Sequence, residues 1–223
     1  MRPSRTIIAS TDVPKSISAL APNVVSSSLT VSIPGSPVLY DVNVQTFLRH
    51  TNASNIDMTI RSPQGTIVTL TTDNGGDFDD VFNGTVWNDS ANPGGQVPYS
   101  INHGLATDHD YADNVVATPL APEEPLGALV GENPNGTWQL TISDDSSGDG
   151  GSLDNWSLTL ATLGVVPVET TATYVSTQVP QPIPAAVGTI SATIVVAGAG
   201  TSLHKLHLIT QIMHTRNDDL DMT

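Results

Sequence analysis

Two runs of carboxylates are the residues of this chain best placed to do chemistry. Asp73, Asp77, Asp79 and Asp80 lie in TDNGGDFDD at 72–80, and Asp144, Asp145 and Asp149 lie in DDSSGDGG at 144–151. Calcium takes six to eight oxygen ligands, and clustered carboxylates with loop carbonyls supply them. Both runs are therefore candidate calcium sites. Neither follows the D-x-[DN]-x-[DN]-G spacing and distal glutamate of an EF-hand. The competing reading of each is a solvated turn in an acidic protein. Asp57 recurs later as Asp221, and a repeated strand aspartate also serves to hold a loop backbone. Asp108, Asp110 and Asp113 form a looser third set. Nucleophilic catalysis would need a serine beside a base that is oriented by an acid, together with an oxyanion hole. The candidate bases are His50, His103, His109, His204, His207 and His214, and no sequence context marks any of them as catalytic. No catalytic residue is assigned.

The elements that must position these loops read as strands. Trp138, Leu140 and Ile142 alternate with polar neighbours, and so do Trp156, Leu158 and Leu160. Period-two alternation in short runs is the mark of a half-buried strand. With Asn135-Gly136 before the first run and Gly148–Gly151 between the two, the stretch 131–160 predicts a hairpin whose two tryptophans point inward. Upstream, Leu29, Val31 and Ile33 alternate, followed by Val42, Val44 and Leu48 with Tyr40 on the same face, and then by Ile56, Met58 and Ile60. Ser62-Pro63-Gln64-Gly65 fits a β-turn leading to Ile67, Val68 and Leu70, and Val86-Trp87 is a further short strand. The stretch 88–126 has no periodicity. A loop of that length points to function or to unrecognised strands.

Composition bounds the partners. The formal net charge is −15, which repels phosphate backbones and disfavours nucleic acid. The absence of cysteine excludes disulfides and thiolate zinc sites. No apolar run approaches the roughly 20 residues of a membrane span. Abundant Thr, Ser, Val, Gly and Asn favour an all-β protein of secreted or cell-surface location. The apolar run after MRPSRT is too short for a signal-peptide core, so a secretion signal is expected upstream.

The chain also repeats. His50-Thr51 and Asp57-Met58-Thr59 recur as His214-Thr215 and Asp221-Met222-Thr223, a constant offset of 214 − 50 = 164. Ser10-Thr11-Asp12-Val13-Pro14 echoes Ser176-Thr177-Gln178-Val179-Pro180 at 176 − 10 = 166. The expected organisation is a linker at 1–9, a complete domain at 10–163, a linker at 164–180 and the truncated start of a second copy at 181–223.

HT-x5-DMTI-x-SP-x-GT at 50–66, GTVWNDSA at 84–91, GENPNGTWQLTISD at 131–144 and GDGGSLDNWSLTL at 148–160 together resemble the P domain, also called P/Homo B. That module lies beside subtilisin-like catalytic domains in proprotein convertases and bacterial secreted proteases. The resemblance implies a jelly-roll β-sandwich of the galactose-binding-like kind. It also implies a non-catalytic role in stabilising or regulating a neighbouring serine endopeptidase of the same polypeptide, sometimes with calcium. Two departures stand beside it: no catalytic domain is present, and 103–117 is longer than the usual connection. No GTS-x-A nucleophile segment of the subtilisin kind occurs in the chain. The alternative is an adhesive or carbohydrate-binding β-sandwich repeat of a cell-surface protein, suggested by the tandem copies. The sequons at Asn52, Asn83, Asn88, Asn135 and Asn155 mostly coincide with turn signals, and turn chemistry accounts for them.

Overall fold

A computed structural model describes residues 2–20, 22–91, 103–166, 168–200, 203–220 and 222. Nine strands are present among them: β1 (Ser4–Ala9), β2 (Lys15–Ile17), β3 (Asn23–Val31), β4 (Val38–His50), β5 (Ile56–Arg61), β6 (Ile67–Thr71), β7 (Asn83–Trp87), β8 (Gly136–Asp144) and β9 (Gly151–Leu163). They form two antiparallel sheets, β1-β9-β4-β7 with β2 also on β9, and β3-β8-β5-β6. The fold is an all-β two-sheet sandwich.

The alternation in sequence becomes burial. Trp138, Leu140 and Ile142 from one sheet and Trp156, Leu158 and Leu160 from the other have no exposed surface. They meet Val42, Val44, Leu48, Met58, Ile60 and Leu70 in a single core. Each such side chain contributes roughly 1.5–3 kcal/mol by leaving water. Both indoles keep their polar atom satisfied: Trp138 Nε1 donates to the Pro134 carbonyl at 2.9 Å, and Trp156 Nε1 donates to Ser27 Oγ at 2.8 Å.

Three expectations are corrected. The two tryptophan strands are not a hairpin. β8 lies between β3 and β5 in one sheet, and β9 lies between β1 and β4 in the other. The acidic loop between them arches from sheet to sheet, a gap of about 10 Å that six residues span easily. An inward alternation is identical in both arrangements, so the pattern could not separate them. Second, Tyr40 faces outward and is exposed, because the register of β4 against β9 slips between Leu39 and Asp41. One inserted residue turns the following side chains to the other face. Third, residues 4–9, read as linker, form β1, which pairs with β9 from Ser4↔Thr162 to Ala9↔Ser157.

The aperiodic stretch after β7 closes one flank of the core. Its described part buries Ala106, Ala117, Leu120, Leu126 and Leu129. It is held by isolated bridges, Trp87↔Leu120 and Leu105↔Ala121, and by the Tyr111 hydroxyl donating to the Ala106 carbonyl at 2.7 Å. Residues 164–223 contain no strand among the described residues, and many of their large apolar side chains are exposed.

Candidate functional site

Both carboxylate runs come to one end of the sandwich, because β4, β6 and β8 all finish there. Three connections interlock at that end. The Ala53 and Ser54 amides donate to the carbonyls of Phe78 and Gly76 at 3.2 and 3.0 Å, tying 51–55 to 72–80. The Asp145 amide donates to the Asn55 carbonyl at 3.2 Å, and that of Thr51 to the Gly150 carbonyl at 3.4 Å, tying 51–55 to 145–150. Gly75 makes the first junction possible: its φ is +102°, and a Cβ there would lie 2.4 Å from that of Ala53. Gly151 serves the second, with an added Cβ falling 1.8 Å from the Arg49 carbonyl oxygen.

The individual carboxylates are put to different uses. Asp144 is wholly buried, and its Oδ2 lies 3.4 Å from Nε2 of the buried His50. Its Oδ1 accepts from the Ser146 amide at 3.3 Å. His50 Nδ1 lies 2.6 Å from the Asn52 carbonyl oxygen, and the His50 amide donates to Asp80 Oδ1 at 3.0 Å. The ring thus faces the Asp144 carboxylate through one nitrogen and the Asn52 backbone through the other. The pair bridges the end of β4 in one sheet to the end of β8 in the other. Asp149 accepts from the Thr51 hydroxyl at 3.1 Å and from Asn55 Nδ2 at 3.3 Å. Asp79 takes part through its backbone, its amide donating to Asp113 Oδ1 at 2.9 Å. Asp73 and Asp80 hold left-handed backbone, φ +54° and +57°, a conformation that aspartate tolerates better than most residues. Asp77 and Asp145 are exposed.

Asp57 on β5 joins the two runs electrostatically. Burial holds its carboxyl above the usual range, and the charges of Asp73, Asp145 and Glu123 push it further the same way; the Asp73 amide opposes them. The sequence signal for this residue was its recurrence as Asp221. The gathering of Asp73 and Asp145 around it was not readable, since it depends on which loops share an end. Among the described residues, no three His, Asp or Glu side chains converge closely enough to hold a metal ion. The carboxylates thus repel one another across the loops without forming a coordination shell.

Three further histidines pair with carboxylates or carbonyls. His103 Nδ1 lies 3.1 Å from Asp110, His204 Nε2 lies 3.0 Å from Glu169, and His109 Nδ1 lies 2.6 Å from the His103 carbonyl oxygen. Trp87, Trp138 and Trp156 are all fully buried, so none contributes to a sugar-stacking surface. The sequon asparagines Asn52, Asn88 and Asn135 act in turns: Asn52 accepts from Ser54, Asn88 from the Ser90 amide, and Asn135 clasps the Ile33 backbone.

The family model of the proprotein convertase P-domain matches residues 39–160. The chain belongs to the proprotein convertase P-domain family. The match runs from β4 to β9 and takes in the acidic loops and the buried tryptophans. Among curated proteins, none matches the chain. Two of the solved structures similar to the chain are serine proteases. One is the Aeromonas sobria serine protease in complex with the chaperone ORF2, at 17% identity and a TM-score of 0.34, covering 71% of this chain and 26% of that one. The other is the serine protease of Aeromonas sobria, at 16% identity and a TM-score of 0.34, covering 70% and 27%. The chain spans about a quarter of the length of either structure. No helix among the described residues is long and apolar enough to cross a membrane.

Proposed function

We propose that this P domain is a non-catalytic accessory module of a secreted protein, which stabilises or regulates a subtilisin-like serine endopeptidase carried by the same polypeptide. The observation that carries the reading is the family match across β4–β9, on a sandwich whose buried His50 and Asp144 join its own two sheets. A fluorophosphonate probe, which labels activated serines, tests the assignment. The polypeptide carrying this domain is expected to label, and residues 1–163 alone are not. Labelling within residues 1–163 would overturn the reading.

Calcium belongs to the same proposal. The candidate donors are Asp73, Asp77, Asp79 and Asp80 in one loop and Asp144, Asp145 and Asp149 in the other, and the loops would have to close on the ion, because no three such side chains converge among the described residues. A bound divalent cation would supply the missing positive charge and draw the two loops together. Melting in EDTA and in millimolar calcium is expected to differ by several degrees, and identical curves would remove calcium from the account.

A further inference from the structure

The sandwich has four sheet edges, and three of them are closed in the same way. An edge strand carries a row of unpaired N–H and C=O groups that templates pairing with another strand. On β7, the Val86 amide donates to Thr118 Oγ1 at 3.0 Å, and the Val86 carbonyl accepts from the Leu120 amide at 2.9 Å. On β6, the Thr69 amide donates to Glu124 Oε2 at 2.7 Å, and its carbonyl accepts from the Glu124 amide at 3.0 Å. On β3, the Ser28 amide donates to Asp12 Oδ2 at 3.0 Å, and its carbonyl accepts from the Ser10 hydroxyl at 3.0 Å. In each strand an inner residue has both backbone groups taken by a neighbouring segment.

The fourth edge, β1, has no such cover. The Ser10 amide donates to the Trp156 carbonyl at 2.9 Å, which extends the β1–β9 register by one residue. In an antiparallel ladder every second residue exchanges both bonds with its partner. The bonded set is therefore Ser4, Thr6 and Ile8, and the backbone groups of Arg5, Ile7 and Ala9 point away from β9. Among the described residues, none bonds to those groups. The side chains of all three are exposed, Ile7 to 66%. β2, on the same side of β9, is only three residues long.

The chemistry of this edge selects its occupant. β1 pairs with Ser157–Thr162, the second half of β9, whereas β9 begins at the acidic end with Gly151. Neither β1 nor that half of β9 carries a carboxylate, and β1 carries Arg5. A chain of formal charge −15 repels its own copy, and an edge free of acids is where two copies can approach. Pairing β1 antiparallel with itself about Ile7 sets Ile7 against Ile7 and Arg5 against Ala9 of the other copy. No like charges then stand opposite each other, and the N–H and C=O groups of Arg5, Ile7 and Ala9 are satisfied in both copies. We propose that β1 is the contact through which two copies of this chain associate, as a two-fold pair whose β1-β9-β4-β7 sheets join edge to edge.

Sedimentation of the full chain across a concentration series is expected to show a monomer–dimer equilibrium. Hydrogen exchange locates the contact: the Arg5, Ile7 and Ala9 amides should slow by about tenfold or more as the dimer forms, while those of Thr6 and Ile8, already bonded to β9, change by less than about twofold. Ile7→Lys places like charges opposite each other on the two-fold axis. It should abolish the dimer and leave the melting midpoint of the monomer unchanged, because the side chain is exposed. Ala9→Glu, which would face Arg5 of the other copy, should give a larger dimer fraction than Ala9→Lys. A monomer at every concentration, a dimer that survives Ile7→Lys, or equal dimer fractions from the two Ala9 variants would overturn the proposal.

Discussion

Removing the carboxylate of Asp144 tests how the two sheets are held at their acidic end. The residue is fully buried, and its two oxygens serve His50 Nε2 at 3.4 Å and the Ser146 amide at 3.3 Å. Asp144→Ala leaves the His50 ring, itself only 3% exposed, with a nitrogen that water cannot easily reach. Breaking a buried pair by deleting one partner costs about 3–5 kcal/mol. The contact here is long, and Ser146 is only half-buried, so the loss should fall just below that range, about 2–3 kcal/mol. At about 2–4 °C per kcal/mol for a domain of this size, the midpoint should drop by about 4–12 °C. Urea unfolding of residues 1–163 reads the free energy, and the slope must stay constant for the comparison to hold. A cycle with His50→Ala isolates the pair: the double mutant should be at least about 1 kcal/mol more stable than the sum of the single losses implies. A loss below about 0.5 kcal/mol, or strict additivity, would refute the idea that this contact joins the sheets.

Three further outcomes follow from the same structure. Asp57 has its folded-state pKa raised, so its contribution is fully present at pH below the unfolded value of about 3.9 and is lost as pH rises through the folded value. In EDTA, Asp57→Asn should therefore raise the midpoint at pH 7 and lose that advantage near pH 3; a variant less stable than wild type at pH 7 would contradict this. Ser27→Ala removes the buried acceptor of Trp156 Nε1 and the hydroxyl that donates to the Asp12 carbonyl, which should cost about 1–3 kcal/mol in denaturant unfolding. Asp89 accepts from the amides of Leu126 and Gly127 at 2.8 and 2.7 Å, capping the 3-10 turn Leu126–Leu129. Asp89→Ala should cost about 0.5–2 kcal/mol and speed hydrogen exchange at Leu126 and Gly127, whereas unchanged exchange there would exclude the cap.

Alternation disclosed the strands and the inward tryptophans because burial on one face leaves a period of two in the sequence. The same signal says nothing about which sheet a strand joins, so it does not separate the arch at 145–150 from a hairpin turn. Tyr40 was misplaced by a register slip that carries no residue signature, and β1 was missed because its edge position leaves Ile7 exposed. At the acidic end, the residue types were legible and their roles were not. Asp144 and Asp149 are consumed by hydrogen bonds across 94 residues of chain. The proximity of Asp57 to Asp73 and Asp145 depends on the place of β5 in the sheet, which no local pattern encodes.

The accessory role is tested most directly by thermal inactivation of peptide hydrolysis in the polypeptide that carries this domain, intact and with residues 1–163 deleted. The account predicts an active serine endopeptidase in both forms, with a half-life at least tenfold shorter after the deletion. Equal half-lives, or a polypeptide without serine endopeptidase activity, would contradict it.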